Sequence, residues 1–454
     1  MNLPNYYLAD LPPEAELQPA MISEACQTLK RNRTQYLAGR TTSSLIGTIC
    51  RAAEDWLDEE YPFRKYALTE GPRQTGFSET TLRTGLDAFF KELTAENIES
   101  LLVQELGHLQ RLDAPSMTQG EMHSRRAAMA SGPELLVHIT GGVIPNPVLL
   151  GMIHGLLLRS AQFVKCARGT SFLPRLFAHS LRETDPKLAA CIEIAEWPGG
   201  TERLEAALFA ESACVVATGS DETLAAIQSR IPRRTRFLGY GHRVSFGYIT
   251  REILQSHRFK KIVTRAVDDV VAWNQLGCLS PHVFYVEDNG TGLANQFAAA
   301  VANELANREV HDPRGTLSTE YSAAIANRRS FYEVRCLHLP EQTALWCSPD
   351  STAWTVIYEQ DPRFQMSCLN RFIYVKAARD LSEALAGADP VHGQVSTVGI
   401  AAADHEEREL VRHLAAWGAT RVCPIGRMQQ PGLSWRHDGR PSLGDLVTWT
   451  DWEQ

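Results

Sequence analysis

Of the ten cysteines, at 26, 50, 166, 191, 214, 278, 336, 347, 368 and 423, one differs in its surroundings. Cys278 follows Gly277 and precedes Leu279-Ser280-Pro281, at a sharp junction between a helical run and the strand-like HVFYVE, rather than inside an apolar run. Junctions expose side chains, and a thiol nucleophile must be reachable and partly ionised. No Lys or Arg is adjacent in sequence, so any stabilisation of a thiolate must come from elsewhere in the fold, and a structural cysteine is the competing reading. Most of the other cysteines are expected to be small buried hydrophobes. His242 and Arg243, in GYGHRVSFG, join two strands through Gly239, Gly241 and Gly247. Such a His can act as a general acid near neutral pH, and such an Arg can hold an anionic group. A strand-capping His and an ion-paired surface Arg have comparable standing.

Phosphate-binding signatures are few. There is no GxxxxGK[ST] loop and no GxGxxG after the first strand; Gly290-Thr291-Gly292 matches only part of one. The better anion site is Thr218-Gly219-Ser220, which closes the strand ACVVATG and opens a helix. A plain helix cap by Ser220 or Asp221 explains the same residues, and Asp221-Glu222 would repel a phosphate placed too near. Lys165 ends the strand AQFVKC, where a cation can meet a ribose hydroxyl or a 2′-phosphate, or can simply be solvated. Histidines are scattered without HExxH spacing and no Cys-x-x-Cys occurs, so no metal site is expected.

The 454 residues carry 45 Lys+Arg against 53 Asp+Glu, a formal charge of −8, with 44% hydrophobic and 22% charged residues. That composition excludes low-complexity and collagen-like chains and suggests two or three globular domains of about 150 residues each. The charge has the wrong sign for a general nucleic-acid binder. Met1–Asp10 is polar, without the basic start and apolar stretch of a secretory leader, and the cysteine pattern suits a reducing cytoplasm. Leu135–Leu158 lacks charged residues over a membrane-spanning length, but Gly141-Gly142, Pro145 and Pro147 divide it into a strand and a helix, so no membrane span is expected.

Residues 1–130 read as mainly helical, over Pro19–Gly39, Ser43–Leu57 and Glu79–Leu112, with Ala114–Gly132 as a connection. From Glu134 short apolar runs alternate with amphipathic helices, which argues for an α/β fold built on a mainly parallel sheet. Such a sheet binds ligands beyond the carboxyl ends of its strands. A helix over Arg258–Leu276 is expected to stop at Gly277 in a left-handed cap, and another to run from Gly292 to Val310. Strands and helices resume over Arg329–Ala419, before a glycine- and proline-rich tail from Cys423.

Several segments together resemble a family. GCLSPHVFYVE around Cys278, LGYGHRVSFG around His242, VVATGSDETL around Ser220, WPGG at 197–200 and the closing CPIGRMQQPGLSWRHDGRPSLGDLVTWTD are similar to the LuxC-type acyl-CoA reductases of bacterial luminescence, within the aldehyde dehydrogenase superfamily. The resemblance runs from about residue 131 to the C-terminus. It implies an aldehyde-dehydrogenase-like fold with a helical N-terminal segment (1–130) packed on a Rossmann-type dinucleotide-binding domain (131–241). A catalytic thiol domain (242–422) and a C-terminal return segment (423–454) complete it. Carried over, Cys278 is the nucleophile, Lys165 holds the adenosine ribose or its 2′-phosphate, and Gly219-Ser220, after Thr218, meet the pyrophosphate.

Two departures from that pattern bear on chemistry. Relatives usually read Gly-Asn-Val-Pro-Gly where this chain has Gly142-Val143-Ile144-Pro145-Asn146. The oxyanion-stabilising Asn is thus Val143, with Asn146 a displaced substitute. Where hydrolytic members carry a general-base Glu in Glu-Leu-Gly-Gly, this chain has Phe237-Leu238-Gly239-Tyr240. Without that base a thioacyl-enzyme hydrolyses slowly and persists for hydride transfer.

The resemblance therefore implies NADPH-dependent reduction of a fatty acyl-CoA or acyl-protein thioester to the aldehyde, through thioacyl-Cys278, with His242 supplying a proton. It further implies an acyl-protein synthetase partner, a homo-oligomer and no metal. The alternatives are a cofactor-free acyltransferase or thioesterase using Cys278 and His242, reduction of an acyl phosphate or acyl adenylate, and a catalytically weakened binding protein.

Overall fold

The computed structural model describes residues 3–12 and 14–453, so Met1 and Asn2 of the polar opening, Pro13, and Gln454 of the tail lie outside the described residues. Two compact units form: residues 1–75, 86–241 and 432–454 make the first, and 76–85 with 242–431 the second. In chain order the strands are β1 (Arg126–Ser131), β2 (Leu135–Ile139), β3 (Ala161–Cys166), β4 (Ile192–Glu196), β5 (Cys214–Thr218), β6 (Arg236–Tyr240) and β7 (Val244–Ile249). There follow β8 (Pro281–Glu287), β9 (Thr343–Cys347), β10 (Thr355–Glu359), β11 (Phe372–Ala378), β12 (Val395–Ala401), β13 (Val422–Pro424) and β14 (Thr448–Glu453).

In the first unit a parallel sheet has the order β4-β3-β2-β5-β6. All residues of β2 and β3 are buried, because helices cover both faces of a parallel sheet; their apolar character is therefore continuous rather than alternating. One face packs Ile22, Cys26 and Leu29 of the helix Pro19–Asn32 against Val137, Phe163 and Val215. Elsewhere Trp56 donates to Ser180 Oγ at 2.8 Å and stacks on Phe90, with 5.0 Å between ring centroids. The segment Leu135–Leu158 is the strand and helix expected, and no helix among the described residues is long and apolar enough to cross a membrane.

The second unit has the sheet order β13-β12-β7-β8-β11-β10-β9, parallel except for β9. The helices Phe259–Val271 and Leu293–His311 cover one face, and Thr319–His338, Leu381–Ala388 and Asp404–Trp417 the other. Asp269, buried on the helix Phe259–Val271, accepts the N–H groups of Gly426 (2.6 Å) and Met428 (2.9 Å), tying down the segment after β13. Burial pushes its carboxyl from 3.8 up to about 7, against the opposing pull of those two donors. The folded state therefore keeps this proton to a higher pH than the unfolded chain. The group's stabilising contribution is complete below about pH 4 and is lost as pH rises to 7. Asp269→Asn should flatten the fall in denaturant midpoint over that range; an unaltered slope would show that Asp269 does not titrate there.

Several expectations need correction. The run Glu79–Leu112 is not one helix but Glu79–Lys91, Ala95–Leu106 and a 3-10 turn at Leu109–Leu112. Thr94 restarts the helix by accepting the N–H of Asn97 at 3.2 Å. A helix also forms over Pro62–Thr75. Ala114–Gly132 holds the helix Gln119–Ser124 and strand β1, which pairs antiparallel with β14 in the tail. Arg329 lies inside the helix Thr319–His338 rather than opening a new alternation. Four cysteines are buried (26, 166, 191 and 214), whereas the other six, Cys278 among them, are half-buried free thiols. Exposure alone therefore does not single out Cys278.

A candidate thiol site and a candidate nucleotide crevice

Cys278 follows a strained stretch of backbone. The helix ends at Val271, and the left-handed residues are Trp273 (φ 49°), Asn274 (φ 50°) and Gln275 (φ 61°), not Gly277. Each such non-glycine residue costs on the order of 1–2 kcal/mol, so the surroundings must hold it in place. Facing them is a second left-handed run, Leu369 (φ 57°), Asn370 (φ 56°) and Arg371 (φ 65°). The two runs are joined by Asn370 N–H to Asn274 O (2.8 Å) and Arg371 Nε–H to Asn274 Oδ1 (3.0 Å). Asn274 Nδ2 donates to Arg314 O (2.8 Å), and Gln275 Nε2 to Pro281 O (2.9 Å) and Phe372 O (3.1 Å). The turn Gly277–Ser280 then closes by Ser280 N–H to Gly277 O at 3.0 Å. Gly277 serves a different purpose from the cap expected of it. A Cβ there would lie 2.8 Å from Gln429 Nε2, and Gln429 hydrogen-bonds Ser280 Oγ.

Neighbouring strands complete the thiol's setting. β7 pairs with β8, which places His242 and Arg243, just before β7, at the same amino edge of the sheet as Cys278, just before β8. His242 is exposed and Arg243 half-buried, its Nη1 donating to His242 O at 3.2 Å. Sequence reasoning missed three residues here. Ser245, fully buried, donates to the Cys278 carbonyl at 2.7 Å while accepting Thr397 N–H at 3.1 Å. His282, pushed down to about 4 chiefly by burial and then by His242, is neutral at pH 7 and accepts Ser367 N–H at Nδ1 (3.1 Å). Arg421, a cation within electrostatic reach of Cys278, donates to Met428 O (2.7 Å) and Arg427 O (2.9 Å). Only the flanking glycines of GYGHRVSFG hinted at Ser245. Ser245→Ala should strand a buried N–H and carbonyl, lowering stability by about 1–3 kcal/mol. It should also slow thioester loading of Cys278, read by denaturant midpoint and intact mass; unchanged loading would deny Ser245 a positioning role.

The remaining candidates lie in the first unit, at the carboxyl edge of its sheet. The chain leaves β2 toward β3 on one side, while β5 lies on the other, so the crevice between β2 and β5 is a topological switch point. Thr218 ends β5 and its Oγ1 accepts Gly141 N–H at 3.0 Å; a Cβ on Gly141 would lie 2.7 Å from Thr218 O. Gly219 N–H goes to Tyr240 O (3.2 Å), and Ser220 Oγ caps its helix by accepting Thr223 N–H at 3.3 Å. Lys165 is buried, its Nζ 5.8 Å from the Trp197 ring centre. Burial lowers its pKa, against the pull of Glu205, Cys166 and Glu196, yet no carboxylate among the described residues pairs with it. Asn146 opens the helix Asn146–Leu157, and Val143 is 43% exposed. A cavity of about 40 Å³ is lined by Val143, Ile144, Phe172 and Leu173. One metal-compatible trio occurs among the described residues, Glu252, His405 and Glu406, in which Glu406 already accepts from Thr250 Oγ1 and Ala403 N.

The LuxC acyl-CoA reductase family model matches residues 37–449. The chain belongs to the LuxC acyl-CoA reductase family. No curated protein matches it closely enough in sequence to count as a relative. Solved structures with a similar fold include bifunctional proline utilization A (TM-score 0.71, 16% identity, covering 98% of this LuxC-family chain and 46% of that one). The chain thus spans about half the length of that protein. An NAD-dependent benzaldehyde dehydrogenase from Corynebacterium glutamicum (0.70, 14%, 99% and 94%) is also similar. So is a single-site mutant of betaine aldehyde dehydrogenase from Staphylococcus aureus (0.69, 14%, 96% and 88%). These likenesses establish an aldehyde-dehydrogenase-like fold for the LuxC-family chain.

Proposed function

We propose that this chain reduces a fatty acyl thioester to the aldehyde through a thioacyl-cysteine at Cys278, with NADPH as the reductant. The observation that supports the reading is the strained turn: six left-handed residues in two facing runs brace the turn that carries Cys278, the cysteine on which the resemblance places the nucleophile. The Cys278 thiolate, favoured by the Arg421 charge, attacks the thioester carbonyl and expels the carrier thiolate. NADPH, when bound, supplies the hydride that takes the acyl group to the aldehyde level. Collapse of the resulting thiohemiacetal anion returns the Cys278 thiolate and releases aldehyde without a net proton, so the proton that His242 supplies goes to the expelled carrier thiolate. Asn146 is the side chain left to assist the oxyanion where relatives use the residue replaced by Val143; losing such a donor costs about a hundredfold or more.

The cofactor reading rests on the first unit. Lys165 is a buried cation in need of an anionic partner, next to a switch-point crevice with glycines at 141, 142 and 219. Arg168, exposed three residues beyond Lys165, is a further cation suited to a 2′-phosphate. Glu196 fixes that loop by accepting Gly169 N–H (2.7 Å) and Ser171 N–H (3.2 Å). Ser220 or Thr223 retains a hydroxyl proton to donate to the pyrophosphate. On this reading the acyl group arrives on coenzyme A or from an acyl-protein synthetase, and the chain acts in the cytoplasm as a homo-oligomer.

Intact-mass spectrometry after exposure to a panel of acyl thioesters tests the covalent step: one acyl adduct, mapped to Cys278, is expected. Titration with NADPH, followed by nicotinamide fluorescence, tests the cofactor. Lys165→Met should raise the dissociation constant about ten- to a hundredfold, the value of one or two charge-assisted hydrogen bonds. Absence of any NADPH binding would instead favour the cofactor-free acyltransferase.

A further inference from the structure

The second unit contains its own topological switch point, on the edge of the sheet opposite Cys278. From β7 the chain runs through the helix Phe259–Val271 to β8 on one side; from β12 it runs through the helix Asp404–Trp417 to β13 on the other. Strands β7 and β12 are neighbours, so their carboxyl ends flank a crevice of the kind in which α/β sheets bind ligands. A cavity of about 300 Å³ lies there, at the lower end of the range for small-molecule pockets. Its floor is apolar, formed by Ile253, Ile262 and Ile400.

Three cations, Arg258, Lys261 and Arg265, line one wall, and Glu407 lines the other. Arg258 is engaged with Asp404 at 3.5 Å, whereas Lys261 and Arg265 pair with no carboxylate among the described residues. The wall is built rather than incidental. Gly426 has φ 89°, and a Cβ on it would lie 2.8 Å from Arg265 Cβ, so the segment that Asp269 anchors closes directly on the Arg265 stem.

We propose that this crevice binds a mononucleotide. Two uncompensated cations suit a phosphate, a lone carboxylate suits the hydroxyls of a ribose, and an apolar floor suits a base. The volume fits one nucleotide rather than two. A simple inorganic anion would leave the floor and Glu407 without a role.

Photolabelling of the full chain with 8-azidoadenosine 5′-monophosphate, with peptides mapped by mass spectrometry, tests this. Saturating NADPH is present to occupy any site in the first unit. Label is expected within residues 251–265 or 400–425, competed by adenosine 5′-monophosphate but not by inorganic phosphate at the same concentration. K261Q combined with R265Q should cut that label at least tenfold at unchanged thermal midpoint, with K261Q alone as the milder variant should the pair misfold. E407Q should weaken protection by the mononucleotide several-fold and leave phosphate unaffected. Protection by 3′,5′-adenosine diphosphate stronger than by the monophosphate would identify the source as the nucleotide end of coenzyme A. Label confined to residues 131–241, equal protection by phosphate, or full labelling of the cation variants would overturn the proposal.

Discussion

Cys278→Ala should abolish aldehyde formation from a fatty acyl-CoA and NADPH, by about a thousandfold or more, because removing a covalent nucleophile removes the path itself rather than one interaction along it. The variant should show no acyl adduct by intact mass. Nucleotide binding and thermal midpoint should stay near those of the parent, since the side chain is half-buried in a turn held by backbone and by Ser245, Gln275 and Gln429. Cys278→Ser keeps the shape and should be nearly as inactive, an alkoxide being far harder to form than a thiolate. Cys423 lies two residues from Arg421, but burial pushes its thiol up to about 11, which makes it a poor substitute. Undiminished turnover in Cys278→Ala would reject the mechanism outright.

Arg371→Met should be the most damaging substitution away from the reacting atoms. The Arg371 side chain is fully buried and has Glu309 Oε2 at 3.1 Å, Asp312 O at 2.6 Å and Asn274 Oδ1 at 3.0 Å as partners. Deleting one member of a buried, hydrogen-bonded charge cluster leaves the others desolvated and unpaired, at a cost of about 3–5 kcal/mol. Arg371 also holds Asn274 left-handed, so its loss should let 273–275 relax and move Cys278. A lower denaturant midpoint together with loading of Cys278 slowed at least tenfold is expected. Arg371→Lys should recover much of the stability and little of the loading rate, because an ammonium cannot reproduce the guanidinium fork. Wild-type loading in Arg371→Met would show that the strained runs do not position the thiol.

The contrast between Gly277 and Asn274 shows how far local reading reaches. A glycine after a helical run is the usual left-handed cap, yet here three non-glycine residues take that role and the glycine admits Gln429. Nothing near residue 274 announces this, because the guanidinium that stabilises it lies 97 residues downstream. In the same way Ser245 reads as an ordinary strand residue until β7 pairs with β8 and β12. The helical run Glu79–Leu112 misled for a simpler reason. Periodicity continues across a break, while Thr94, an N-cap in the middle of the run, is a weaker signal.

By itself the sequence determined the alternation of buried strands and covering helices from Glu134 onward, the junction at Cys278, the cation at the end of β3 and the family. All of these rest on spacing within a few residues, where side-chain periodicity and turn chemistry act. Tertiary structure alone decided which polar groups converge. The brace of left-handed residues, the Ser245 bond to the Cys278 carbonyl, the Arg421 charge and the cation-lined crevice at β7 and β12 all join segments far apart in the chain. Their energies come from burial and pairing, which exist only once the sheets have formed.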